Sequence, residues 1–303
     1  MPNLKDIKSR ISSVQNTKKI TKAMKMVAAA KVKKAENTVK AARPFSDELL
    51  HLFRKMLAQA GEYSVSGLRV QRALDNYPEL LEKREIKSEG LLVITSNKGL
   101  AGAYNSNIVK TALRRVKENA KAGIKTVIYP VGQKAVSALK HATADFELRE
   151  GYISIANTPT ATGANIIAED IAEDFVSGNI DKIDIITTHF NNMMSYNVVS
   201  WDVLPVQVER AESHELDPVM EFEPSIHAVL QQLVPMYITN SIYQALLEAN
   251  ASELASRMTA MSAASNNAEE MITTLTIDYN KARQAAITQE LVEIVSGAQG
   301  VSN

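Results

Sequence analysis

Apolar residues recur at steps of three and four through both ends of the chain. Near the start the pattern is Leu4, Ile7, Ile11 and Val14, then Ile20, Met24 and Val27. Toward the end it is Met271, Leu275, Tyr279, Ala282 and Ala286, with Ile287 displaced by one position, then Leu291 and Ile294. This is the period of a helix that buries one face. Residues 1–57 and 225–299 therefore read as one long helical pair. At 1.5 Å per residue, a helix of ~55 residues is ~80 Å long and one of ~75 residues is ~110 Å long. Both lengths exceed the diameter of a domain this size, so the pattern predicts two helices lying along each other as an antiparallel coiled coil. Pro44 and Pro235 fall inside these stretches, where a kink, a short break or a helix start is predicted.

The region between them has a different rhythm. Residues 58–89 contain Gly61, Ser64, Ser66, Gly67 and Pro78 and read as a linker. Short apolar runs at 90–96 and 125–132 read as buried strands, and helical patterns follow at 106–122 and 133–141. FELREGYISI is irregular or strand, residues 162–177 read as an amphipathic helix, and 181–190 and 198–207 as two further strands. Strands alternating with helices imply an α/β layer with a largely parallel sheet. NNMMSY is too short for a crossover helix, so the last two strands are predicted to form an antiparallel hairpin. The fold class is α/β: a Rossmann-like α/β domain inserted between two long terminal helices. The domain expectation is a shaft of 1–57 with 225–303, a linker at 58–89, an α/β foot at 90–207 and an acidic linker at 208–224.

Composition sharpens this picture in three places. Aromatic residues make up only 5% of the chain, which suits helix seams of Ala, Leu, Ile, Val and Met. Net charge is zero, yet residues 1–43 hold 12 Lys and Arg against Asp6 and Glu36. Residues 225–303 hold three basic residues against seven acidic ones, so pairing the ends sets opposite charges side by side and leaves a basic excess. That excess suits an acidic partner or a solvated helix face. There is no cysteine, which removes disulfide and thiolate chemistry, and no run of 18 apolar residues that would span a membrane. The opening MPNLKDIKSR lacks an apolar signal core, so the expectation is a cytoplasmic protein with no secretory leader.

Candidate chemistry is sparse. SNKGLAGAYNSN (96–107) lies between a strand and a helix, where anions bind, but its glycines do not make GxGxxG and no G-K-[ST] follows. A tight turn is the favoured reading. The five histidines are scattered without ligand spacing, no serine sits in GxSxG, and Glu269–Glu270 read as a solvated face. No catalytic residue, cofactor or metal is expected. Two alternatives stand beside this: a nucleotide-dependent enzyme built on 90–205, and a basic coiled coil that binds nucleic acid through residues 5–43.

The opening IKSRISSVQNTKKITKAMKMVAAAKVKKA (7–35) and the ending YNKARQAAITQELVEIVSGA (279–298) resemble the two terminal signatures of the gamma subunit of F-type ATP synthases, and SNKGLAGAYNSN resembles that family's central-domain motif. The resemblance covers the whole chain. It implies a central rotor shaft that makes no bond itself. Its coiled coil would sit inside a ring of alpha and beta subunits, and its foot, with the epsilon subunit, on a membrane-embedded c-ring. By the same resemblance, Met24, Lys25 and Arg257 would face a beta subunit, and Arg283, Gln284, Thr288 and Glu290 would form a polar catch for a beta-subunit loop. Met220 and Glu223 would meet the c-ring. Ala28, Ala29, Ala30, Ala285, Ala286, Gly297 and Ala298 would be the small, weakly adhesive residues a turning shaft presents to its housing. The lack of cysteine excludes thiol switching, and the lack of a basic leader points to the cytoplasmic face of a bacterial inner membrane, with a processed mitochondrial chain as the alternative.

Overall fold

A computed structural model describes residues 4–60, 77–206, 223 and 225–301. The chain enters on helix α1 (Leu4–Ala60) and leaves on helix α6 (Ile226–Val301). Between them come α2 (Tyr77–Leu80), β1 (Ser88–Ile94), α3 (Tyr104–Ala122), β2 (Lys125–Val131), α4 (Gln133–Lys140), β3 (Glu147–Leu148), α5 (Ala161–Val176), β4 (Lys182–Asn192) and β5 (Ser195–Leu204). Neither Pro44 nor Pro235 breaks its helix.

The five strands form one sheet in the order β3-β2-β1-β4-β5. Strands β1 to β4 run parallel where they pair, and β5 returns antiparallel to β4. β1 is buried along its whole length, and from Gly90 to Ile94 its sequence is an apolar run rather than an alternation, as a strand covered on both faces requires. One face of the sheet is covered by α3 and α4 through Ile108, Ala112, Val116, Ala135 and Leu139. The other is covered by α5, by α6 and by the second half of α1, which contributes Leu49, Phe53 and Met56. Leu80, in the predicted linker 58–89, is fully buried in that core, and its carbonyl accepts from Val206 N at 3.1 Å.

The chain divides into two compact units, Met1–Ala29 with Arg257–Asn303, and Ala30–Ser256. This partition differs from boundaries at 57 and 225, because the inner halves of both long helices pack on the sheet. Within the larger unit α1 and α6 run antiparallel. Arg43 meets Glu248, Ser46 accepts from Asn240 at 2.9 Å, and Phe53 stacks on Tyr237 with ring centroids 5.3 Å apart.

In the smaller unit the seam runs through Ile7, Thr21, Ala28, Met261 and Ala268, all buried. Here the structure corrects the predicted stripe. Ile20 and Val27 are 60% and 57% exposed, and Met271 is 53% exposed. The adjacent Thr21, Ala28 and Ile272 turn inward instead. A helix seam advances 3.5 residues on average, so Leu4, Ile7, Ile11 and Val14 continue as Lys18, Thr21 and Ala28. Two of those three positions are small or hydroxylated and the first is a lysine, so a search for large apolar residues drifts by one.

Candidate functional site

No described helix is long and apolar enough to cross a membrane, and no group of described His, Asp or Glu is arranged to hold a metal ion. Two features stand out among the described residues: the outer surface of the helix pair in the smaller unit, and, in the larger unit, the seat of α6 against the sheet.

In the smaller unit the outer surface is apolar at many points. Ile20, Met26 and Val27 on α1, and Ile277, Ile287, Leu291, Val292, Ile294 and Val295 on α6, are all exposed. The partly buried residues of α6 advance as Ile272, Leu275, Tyr279, Ala282 and Ala286, and every residue from 287 to 295 is exposed. Residues 287–295 of α6 are buried by no other described residue. Isolated exposed apolar residues are ordinary, but a run this dense marks a surface that something covers. An ion pair from Lys18 to Glu269 at 2.9 Å crosses this pair of helices.

The residues assigned to contacts fall on this surface unevenly. Lys25, Arg283, Gln284, Thr288 and Glu290 are exposed, whereas Met24 and Arg257 are half-buried. Thr288 Oγ1 donates to Gln284 O at 2.9 Å, one turn back, so these two sit on one strip of α6. Ala28 is 2% exposed and belongs to the seam, so it is not a residue offered to a housing. Glu223 is exposed in a bend, and Met220 lies outside the described residues, as does most of the predicted linker 208–224.

In the larger unit α6 is buried on all sides from Gln244 to Ala255 apart from Asn250. Its small residues Ala245, Ala249, Ala251, Ser252 and Ala255 let sheet and loop approach the backbone closely. The loop SNKGLAGAYNSN makes much of that approach. Ser96 N donates to Asn105 Oδ1 at 3.0 Å, Ser96 Oγ to Lys98 O at 2.7 Å, and Gln133 N to Asn97 Oδ1 at 2.7 Å. Leu100 and Gly102 take positive φ, 65° and 54°, which folds the loop tightly. The loop then grips α6: Ser256 Oγ donates to Ala101 O at 2.6 Å, and Tyr104 Oη to Ala249 O at 3.0 Å. Tyr104 is buried and meets Tyr196 edge-on at 5.7 Å. A stretch that resembles a phosphate loop in outline is here a docking turn, with several of its donors spent on closing itself and holding the helix.

Sequence reasoning missed two polar clusters. The first joins Arg43, Gln244, Glu248, His189 and Phe190. Glu248 is 1% exposed and receives Arg43 Nε at 2.9 Å, Arg43 Nη2 at 3.1 Å, Gln244 Nε2 at 3.0 Å and Phe190 N at 2.7 Å. The signal in the sequence was a pair of carboxylates, Glu248 and Glu253, inside the small, largely apolar stretch QALLEANASELA.

The second cluster lies where sheet register brings Glu89 beside Lys182 and Asp184 beside Asp202. Arg115 reaches Glu89 at 2.6 Å and Asp184 at 3.6 Å; Lys182 reaches both Asp184 and Asp202 at 2.8 Å. Three carboxylates thus share two cations. Burial pushes the Asp184 carboxyl up to about 7, aided by its hydrogen bond with Asp202 and only partly opposed by Lys182. Asp202 is held below the ordinary carboxylate range by its bonds to Asp184 and Lys182. Burial also pushes Glu89 up, but the bonds from Arg115 and Asn119 outweigh it and hold that group low. Chain order hid the cluster, because its members come from four separate elements.

Comparison with known proteins gives a consistent answer. The sequence model of the ATP synthase family matches residues 3–301. The chain is 43% identical to the ATP synthase gamma chain of Picosynechococcus sp., covering 99% of this chain and all of the relative. It is 41% identical to that of Nostoc punctiforme over the whole of both. Its fold is similar to a chain of the central stalk and c-ring of Tetrahymena thermophila mitochondrial ATP synthase, with a TM-score of 0.57, 28% identity, and 81% of this chain and 99% of that one covered. It is also similar in fold to a chain of the Euglena gracilis mitochondrial ATP synthase, with a TM-score of 0.63 at 19% identity, covering 98% and 94% of the two chains.

Proposed function

The chain belongs to the ATP synthase gamma-chain family, and from that premise we propose that it is the non-catalytic central-stalk rotor of an F-type ATP synthase. It carries torque between a membrane-embedded c-ring and a catalytic ring of alpha and beta subunits, with the epsilon subunit beside its foot. It works peripherally, on the cytoplasmic face of a bacterial inner membrane. The observation that carries this reading is the outer surface of the smaller unit. Its seam is closed, yet Ile287, Leu291, Val292, Ile294 and Val295 stand exposed on the last turns of α6. A shaft enclosed by a ring needs such a surface: apolar enough to sit in a sleeve, with no deep interlocking that would stop it turning.

Torque does work only through contacts that differ between angular positions, because a ligand shifts an equilibrium only by its differential affinity for the two states. Arg283, Gln284, Thr288 and Glu290 supply such contacts on α6, and Met24, Lys25 and Arg257 a second group. Glu223, with Met220, is assigned to the c-ring side. Both long helices run through both units, so twist entering the larger unit has continuous backbone into the smaller one.

The test is the double variant Arg283→Ala with Gln284→Ala in the assembled complex. Proton-driven ATP synthesis is expected to fall at least several-fold while the chain still co-purifies with alpha and beta subunits. Unchanged synthesis would remove the assigned catch, and failure of the unaltered chain to co-purify would remove the rotor reading.

A further inference from the structure

A strand that outgrows its neighbour leaves its edge groups without a ladder. β1 pairs with β4 only as far as Val93 and Ile186, yet β4 continues to Asn192. From Thr187 onward that edge of β4 has no strand partner among the described residues. Unpaired buried backbone groups are costly, so the native chain must satisfy them some other way. At Phe190 it does so with side chains from both long helices. Phe190 N donates to Glu248 Oε2 at 2.7 Å, and Phe190 O accepts from Arg43 Nη2 at 2.8 Å. Glu248 and Arg43 stand in for the acceptor and donor of a missing strand. They also bond each other, with Nε to Oε1 at 2.9 Å, and Gln244 completes the carboxylate at 3.0 Å. Three residues back along β4, Thr187 Oγ1 donates to Ala245 O at 3.3 Å.

We propose that this node is the joint through which torque passes from the sheet to both shaft helices at once, Arg43 and Glu248 acting as positioning residues. The inference rests on the rotor reading. Apolar contacts between a helix and a sheet resist separation but permit sliding, since dispersion is nearly indifferent to direction. Charge-assisted hydrogen bonds are directional and short, and here they tie α1, α6 and β4 to one carboxylate. Twisting either helix against the sheet stretches the same bonds. Glu248 is 1% exposed, so water offers no replacement partner as the joint is loaded.

The experiment uses the assembled complex carrying Arg43→Met with Glu248→Met, which keeps the apolar bulk and removes the directional bonds. The angular fluctuation of the foot against the immobilised catalytic ring is measured by single-molecule tracking, alongside ATP-driven proton pumping and unloaded hydrolysis. The expected result is angular variance at least doubled and pumping per ATP reduced at least threefold, with unloaded hydrolysis within twofold of the unaltered complex. A purely structural role would lower assembly without changing the ratio of pumping to hydrolysis. Unchanged variance and pumping in an intact complex overturn the joint. Should the double variant not assemble, Glu248→Gln, which keeps shape and loses charge, is read the same way: raised variance supports the joint and unchanged variance overturns it. If the unaltered foot does not rotate at all, it is the rotor reading that fails.

Discussion

Replacing Asp184 by asparagine tests whether three carboxylates on two cations keep one proton near neutral pH. Asp184 has an ordinary value of 3.8 and stands at about 7 in the folded chain, chiefly through burial and secondarily through Asp202. Its folded pKa is raised, so the folded state binds the extra proton. Its contribution to stability is complete below about 4 and is lost as pH rises toward 7. The slope in that window is about 1.4 kcal/mol per pH unit for a full proton. Across the window this comes to roughly 4 kcal/mol, and sharing the proton with Asp202 and Lys182 reduces the expectation to about 2 kcal/mol. Asp202 and Glu89 have lowered values, so their contributions are present above about 4 and fade only in more acidic solution. The interval from about 4.5 to about 7 therefore isolates Asp184 within the cluster. Asp184→Asn cannot ionise and keeps a donor toward Asp202 and an acceptor toward Lys182. Relative to the unaltered chain, it should gain about 2 kcal/mol between pH 4.5 and 7. The chain's single tryptophan is Trp201, next to Asp202 in β5, so urea unfolding followed by its fluorescence reports on this strand. Parallel stability curves for the two chains across that interval would refute the reasoning. They would mean that Lys182 and Arg115 outweigh desolvation and keep all three carboxylates ionised.

Other outcomes follow from the packing. Phe53→Ala removes a fully buried ring stacked on Tyr237 and should cost about 3–5 kcal/mol in urea unfolding of the chain. Gly132→Ala places a Cβ 2.6 Å from Thr95 O at φ +89°, so a loss of about 1–3 kcal/mol is expected by the same assay. Lys18→Ala breaks a pair whose acid is 66% exposed, and its effect should stay below about 1 kcal/mol and vanish in high salt. Leu291→Lys lies on the exposed end of α6; the isolated chain should keep its stability within about 0.5 kcal/mol, whereas co-elution with alpha and beta subunits should weaken.

Periodic elements were legible in the chain, and pairwise chemistry was not. The two long helices, the parallel sheet and the β4–β5 hairpin each follow from a local pattern that one window of sequence contains. The phase of the seam was misread by one residue at Ile20, Val27 and Met271, because Thr21 and Ala28 carry little hydrophobic signal at positions that packing nonetheless buries. Pro44 looked like a break and is accommodated, since an adequate tertiary seat outweighs one lost helix hydrogen bond. The exposed stretch at 287–295 could not be read from apolar spacing alone, because Leu291 and Ile294 continue the same pattern where no described residue buries them. Glu248 and Arg43 could not be joined in advance, since nothing local says which strand edge will lack a neighbour.

The overhang of β4 also sets an order of manufacture. Arg43 and Glu248 lie 205 residues apart. At roughly 5–20 residues per second, a ribosome makes the second about 10–40 s after the first. The apolar side of α1 around Leu49, Phe53 and Met56 waits through nearly all of that interval for the helix that seals it, and the far end of β4, made later, waits through roughly its last quarter. A nascent chain of this kind needs shielding until its last quarter emerges, and a prematurely terminated product would carry a bare strand edge ready to pair with its neighbours.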